Sequence, residues 1–194
     1  MMKKLAILAL LPLSACIRLG AEPPPSLLTL TPTQGVPVGN AQNSGAAKSI
    51  LIAVPSVPQE LAVTRVPVRA TDTSLAYVKD AQWVEQPGRL FARLLSDTVT
   101  TRTGRVVLSL RQSSVDPSSQ LSGELRAFGM DATTNEAVVT YDAALIRVGQ
   151  PNAVEKRRFE ARVPVTAITN VTAGPAINQA ANQVAVEVAD WIGR

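Results

Sequence analysis

The most reactive group in the chain is a single thiol. Cys16 is the only cysteine among 194 residues, and it directly follows Leu13-Ser14-Ala15. Those four residues, Leu13, Ser14, Ala15 and Cys16, match a bacterial lipobox, in which a lipid is attached to the cysteine sulfur before cleavage leaves that cysteine as the first mature residue. The sequence contains no histidine, so a Ser-His-Asp triad, a Cys-His pair and a His-ligated zinc are excluded, and one cysteine makes no internal disulfide. Carboxylate, lysine, tyrosine or Ser-Lys chemistry remains. Glu60 and Glu85 could be general acid/base groups, yet neither has a partner carboxylate at a locating spacing, a Gly-rich phosphate loop or a metal-ligand cluster beside it. The expectation is a protein that is not an enzyme, binds no metal and has no cofactor beyond an N-acyl diglyceride on Cys16, with palmitate-type chains.

Two further groups of residues could make contacts. Arg65, Arg69 and the run Lys156-Arg157-Arg158 could form a basic patch for phospholipid headgroups or a partner, since cations near an anionic surface contribute about 1 kcal/mol each. The competing reading is a solvated strand face, because Glu155 and Glu160 interrupt the run. On the last helical segment, Ala176 and Ala180 lie on a small, uncharged flank. That flank could admit a second copy or a partner protein, or it could be buried in the domain's own core. Lys and Arg exceed Asp and Glu by 19 to 15, but Lys3 and Lys4 fall in the segment to be removed, which leaves +2. So even a balance argues against a nucleic-acid partner.

The elements that must carry these residues follow from composition and periodicity. Met1-Met2-Lys3-Lys4 and the apolar run Leu5–Leu13 are the charged and hydrophobic regions of a signal peptide, too short for a spanning helix of about 20 residues. Residues 1–15 are therefore a lipoprotein signal peptide and 16–48 a lipid-anchored tether. Pro23-Pro24-Pro25 stiffens the tether, and it is rich in Gly, Pro, Asn, Gln and Ser from Pro32 to Ser49. Fully extended, it could hold a domain on the order of 100 Å from the membrane. Leu27–Leu30 could add a short strand within it. Residues 49–194 form the domain.

Within the domain, Ser49–Val54 reads as a buried strand, Val63–Arg69 as an edge strand or extended segment around Pro67, and Ser74–Lys79 as a short strand. Pro87 opens a helix with Leu90, Phe91, Leu94, Leu95 and Val99 on one face, ending at Gly104. A strand Val106–Leu110 follows, then three meander strands at Leu121–Met130, Ala137–Val148 and Val154–Val165. In the last of these, Phe159, Ala161 and Val163 alternate with Arg158, Glu160 and Arg162, which marks one buried and one wetted face. A helix after Gly174-Pro175, striped by Ile177, Ala181, Val184 and Val188, ends the chain. Most of the seven aromatic residues are expected in the core. The predicted fold is α+β, a mostly antiparallel sheet with two helices packed on one face.

Read together, several of these segments carry a family resemblance. The lipobox at Cys16, Leu27-Leu28-Thr29-Leu30, the strand Ile50–Val54 with Pro55, the turn Pro58-Gln59-Glu60-Leu61 and Trp83-Val84-Glu85-Gln86-Pro87 follow one another as in the ABC-type transport auxiliary lipoproteins, which accompany mammalian-cell-entry (MCE) type lipid transport systems. Where members commonly carry a Tyr-Leu-Asp-Arg-like stretch, this chain has Gln59-Glu60-Leu61-Ala62, with Arg65 close behind. The resemblance implies an accessory subunit lipid-anchored to the outer membrane and facing the periplasm, where Ile17, not an acidic residue, follows Cys16. Its partners would be an MCE-domain protein with its ABC permease and ATPase; the lipid anchor adds the phospholipid membrane, and the small flank of the last helix leaves room for a homo-oligomer. A second reading is a regulatory or scaffolding outer-membrane lipoprotein, such as a cell-wall synthase activator or assembly factor.

Overall fold

The computed structural model describes residues 26–45, 47–108, 116–149 and 153–193. Seven strands and two helices build it: β1 Ser49–Ile52, β2 Arg65–Thr71, β3 Ser74–Gln82, α1 Pro87–Thr103, β4 Val106–Leu108, β5 Ser119–Asp131, β6 Glu136–Arg147, β7 Val154–Pro164 and α2 Asn170–Ile192. A short 3-10 turn, Gln59–Leu61, joins β1 to β2. The α+β class is as the sequence predicts, but the sheet is mixed. Among the described residues β2–β3, β5–β6 and β6–β7 pair antiparallel, whereas β1–β4, β1–β5 and β2–β5 pair parallel. The long connection through α1 returns the chain to β1 in its original direction, which only a crossover can do.

β2 is not an edge strand. It lies between β3 and β5, and Pro67, which cannot donate to a ladder, sits at a register shift against β3. On its other side Gly129 lets the strands close up, because a Cβ there would fall 2.4 Å from the Pro67 carbonyl oxygen. The expected strand to Leu110 is described as far as Leu108, and its last two residues lie outside the described set.

α1 takes the bounds that Pro87 and Gly104 suggest, with Gly104 in the left-handed conformation at its C-terminus (φ 70°). α2 starts at Asn170, six residues before the start after Gly174-Pro175 that the sequence indicates. Thr169 caps it through a reciprocal bond pattern with Thr172, and this earlier start places Gly174 and Pro175 inside the helix. Its C-terminal carbonyls are met by two arginines: Arg147 Nη1 donates to Ile192 O at 3.0 Å and Arg105 Nε to Gly193 O at 3.0 Å.

Both helices cover one face of the sheet, with α2 across β3, β5, β6 and β7 and α1 beside it. The core between them is aromatic. Trp83 meets Phe128 at 5.3 Å between ring centroids, and Phe91 meets Tyr141 at 5.3 Å and Phe128 at 6.4 Å. Phe159 is buried as well, against Trp191. Burial pushes the Tyr141 phenol up, and its hydroxyl donates to Ser122 O at 3.0 Å.

Candidate functional site

The wetted face of the sheet collects the arginines. Strand alternation brings Arg69 of β2 and Arg158 and Arg162 of β7 to the side away from the helices, and a bulge in β5 between Leu125 and Ala127 brings Arg126 there as well, where carboxylates meet them. Asp131 is the hub. Its side chain is 3% exposed, it pairs with Arg69, and it accepts from Thr133 Oγ1 at 2.6 Å and Thr133 N at 3.0 Å, with Arg162 at 3.9 Å. Burial alone would push its carboxyl up; the Thr133 and Arg69 hydrogen bonds overcome that and hold it down at about 2.

Further along, Arg158 grips Asp142 with two bonds of 2.6 and 2.7 Å, and Arg126 lies 3.6 Å from both Glu124 and Asp142. The Arg158 hydrogen bond lowers Asp142. Arg162 bonds Glu160 at 2.8 Å and reaches Glu136 at 3.4 Å. A depression of about 520 Å³ opens over this lattice, lined by Pro67, Ala127, Gly129 and Val138 beneath the charged side chains.

The five basic residues singled out in the sequence do not form one patch. Arg69 and Arg158 are neutralised in the lattice. Arg65 stacks on the Tyr77 ring at 3.8 Å and Arg157 on Phe159 at 4.9 Å. Lys156 is exposed, next to Arg158 in the alternation of β7, whereas Arg157 points to the helix side. In a strand consecutive residues face opposite ways, which splits the Lys156-Arg157-Arg158 run, and the neighbouring strands supply the carboxylates.

Ala176 and Ala180 are likewise not a free flank. They are 6% and 0% exposed and belong to the core, because α2 is covered by the sheet on one side and by α1 on another. Of the two candidate carboxylates, Glu85 pairs with Arg93 and Glu60 lies in the 3-10 turn. Leu13, Ser14, Ala15 and Cys16 lie outside the described residues. Among the described residues no cluster of metal-ligating side chains occurs, and no helix is long and apolar enough to cross a membrane.

The feature that sequence reasoning missed is a strap. Leu28–Thr33 fall in the segment assigned to the tether, yet they lie on the domain. Leu28 bridges Trp83, its N–H donating to Gln82 O at 2.7 Å while its carbonyl accepts from Val84 N at 2.9 Å. The Leu28 side chain fills the notch at Gly174, where a Cβ would come within 2.8 Å of it. Two asparagines one helical turn apart on α2 then take over as a surrogate strand. Thr31 N donates to Asn178 Oδ1 at 2.9 Å, Thr33 N to Asn182 Oδ1 at 2.8 Å, and Asn182 Nδ2 returns a bond to Thr31 O at 3.0 Å. The signal in the sequence is the pair Asn178 and Asn182, four residues apart on one face of α2.

A model of the family described as the ABC-type transport auxiliary lipoprotein component matches residues 28–189, which begins at the strap and takes in the whole sheet. No curated protein matches the chain. Among solved structures, protein XCC0632 from Xanthomonas campestris superposes with a TM-score of 0.71 at 19% identity, over 86% of this chain and 94% of that one. An uncharacterized protein gives 0.64 at 16% identity, over 76% and 94%. A PelC variant from Paraburkholderia phytofirmans, crystallised as a dodecamer, gives 0.50 at 14% identity, over 84% and 96%.

Proposed function

Because this chain belongs to the family of ABC-type transport auxiliary lipoprotein components, we propose that it is the accessory subunit of an MCE-type intermembrane lipid transport system, held by acyl chains on Cys16 in the outer membrane and facing the periplasm. The observation that carries this reading is the family match across 28–189, joined to the lipobox at Cys16. The work it does is contact, not catalysis. In the lattice on the wetted sheet face each arginine is paired with a carboxylate, which suits a polar docking surface better than a reacting centre. Its partners are the MCE-domain protein with its permease and ATPase, and, as in the dodecameric PelC relative, further copies of itself.

Cells lacking the chain test this by complementation. Wild type is expected to restore phospholipid exchange between the membranes, and Cys16→Ser, which has no sulfur to acylate, is expected to collect as precursor and fail. Full rescue by Cys16→Ser contradicts the anchor. Unchanged lipid exchange on loss of the chain, with a fall in cell-wall synthesis, supports a scaffolding lipoprotein instead.

A further inference from the structure

Four aliphatic side chains stand out in water at one end of the domain: Leu27 at 51% exposure, Val54 at 58%, Val84 at 52% and Val171 at 76%. Local contacts show that they belong together. The bridge between Leu28 and Trp83 places Leu27 and Val84 on adjoining chain segments. The Leu28 side chain at Gly174 brings in the first turn of α2, which carries Val171. Val54 lies against the first turn of α1, 3.8 Å from where a Cβ on Gly88 would be. Single exposed aliphatics need no explanation, but four gathered where both helices begin form a patch of the kind that marks an interaction site.

The same end carries Arg89. It sits in the first turn of α1, where the helix dipole favours an anion rather than a cation, and no carboxylate pairs with it among the described residues. An apolar patch beside an unpaired guanidinium suits a surface with hydrocarbon beneath anionic headgroups.

The position of the chain selects the occupant. The strap enters the domain at this end, and the chain from Cys16 to Leu28 spans at most about 40 Å. We propose that the end bearing Leu27, Val54, Val84, Val171 and Arg89 rests on the lipid surface to which Cys16 ties the chain. This inference rests on the acylated Cys16 of the proposed function. It orients the molecule with the helix N-termini toward the bilayer. The far end of α2, where Arg147 meets Ile192, then points into the periplasm.

Depth measurements on the full, acylated chain test it, since the thioether occupies the native sulfur. A polarity-sensitive fluorophore is attached at Leu27→Cys, Val171→Cys or, as the distal control, Val148→Cys, which follows Arg147 at the opposite end of α2. The proteins are reconstituted in phosphatidylethanolamine–phosphatidylglycerol vesicles with a spin-labelled phosphatidylcholine as quencher. Labels at Leu27 and Val171 are expected to shift to the blue and to be quenched several-fold more than the label at Val148. Vesicle-bound protein in which all three labels stay equally wet and unquenched overturns the inference. A blue shift without lipid quenching also overturns it, and assigns the patch to a protein contact. Mass spectrometry of the Cys16 peptide from the same preparation separates the two readings, because a missing acyl mass refutes the anchor itself and the inference with it.

Discussion

Asp131 concentrates more interactions than any other side chain on the sheet face, and its effect on stability has a defined sign. Its carboxyl is held at about 2 in the folded protein against about 3.9 when unfolded. The stabilisation is therefore present above about pH 4 and is lost as the pH falls through the folded value. Asp131→Asn is expected to lower stability by roughly 2 kcal/mol near neutral pH and to flatten the acid limb of a melting-temperature profile between about pH 4 and 2. A variant whose acid limb keeps the wild-type slope contradicts this role. Ala180 carries the opposite lesson. At 0% exposure, Ala180→Glu introduces an unpaired charge into the core at a cost of several kcal/mol, so the variant is expected to lose cooperative melting by circular dichroism. A variant that folds normally would return Ala180 to the surface.

The strap and α2 stand or fall together. Each amide hydrogen bond from the strap to α2 contributes on the order of 1 kcal/mol. Asn182→Ala is therefore expected to speed hydrogen exchange at Thr31 and Thr33 by about tenfold while amides of β6 keep their protection. Unchanged exchange at both threonines contradicts the clasp. How much of this was legible depends on the range of the interaction. α1 could be read because Pro87 and Gly104 punctuate it, and the β5–β7 meander because Arg158, Glu160 and Arg162 alternate with Phe159, Ala161 and Val163. The start of α2 was hidden by Gly174 and Pro175, which look like a break; Thr169 caps upstream of them, and Leu28 uses the missing Gly174 side chain. The parallel pairing of β1 with β4 and β5 left no mark, since a continuous apolar run reports burial without naming a neighbour. Leu27–Leu30 reads as a short strand, but its clasp to α2 does not, because the asparagines that hold Thr31 and Thr33 lie about 150 residues away. Asp131 reads locally as a turn residue, and nothing nearby in sequence announces Arg69, its register partner on the adjoining strand β2.

With the proposed anchor on Cys16, the docked strap gives the molecule a shorter leash than its Pro- and Gly-rich N-terminal region suggests. A free tether to Lys48 would reach on the order of 100 Å, but a docked strap limits the stretch from Cys16 to about 40 Å. Deleting residues 36–44, downstream of the strap, is therefore expected to leave transport and melting temperature unchanged, whereas deleting residues 18–25 impairs transport without affecting the melt. The reverse order of effects would mean that the strap is released when the protein works. The proposed transport role depends on the company the domain keeps, which affinity capture of the acylated chain from detergent-solubilised envelope, read by quantitative mass spectrometry, reveals. An MCE-domain protein together with its permease and ATPase is expected to be enriched with wild type, and all three are expected to be lost with Cys16→Ser. Capture of a cell-wall synthase in their place, with no MCE component above background, would contradict it.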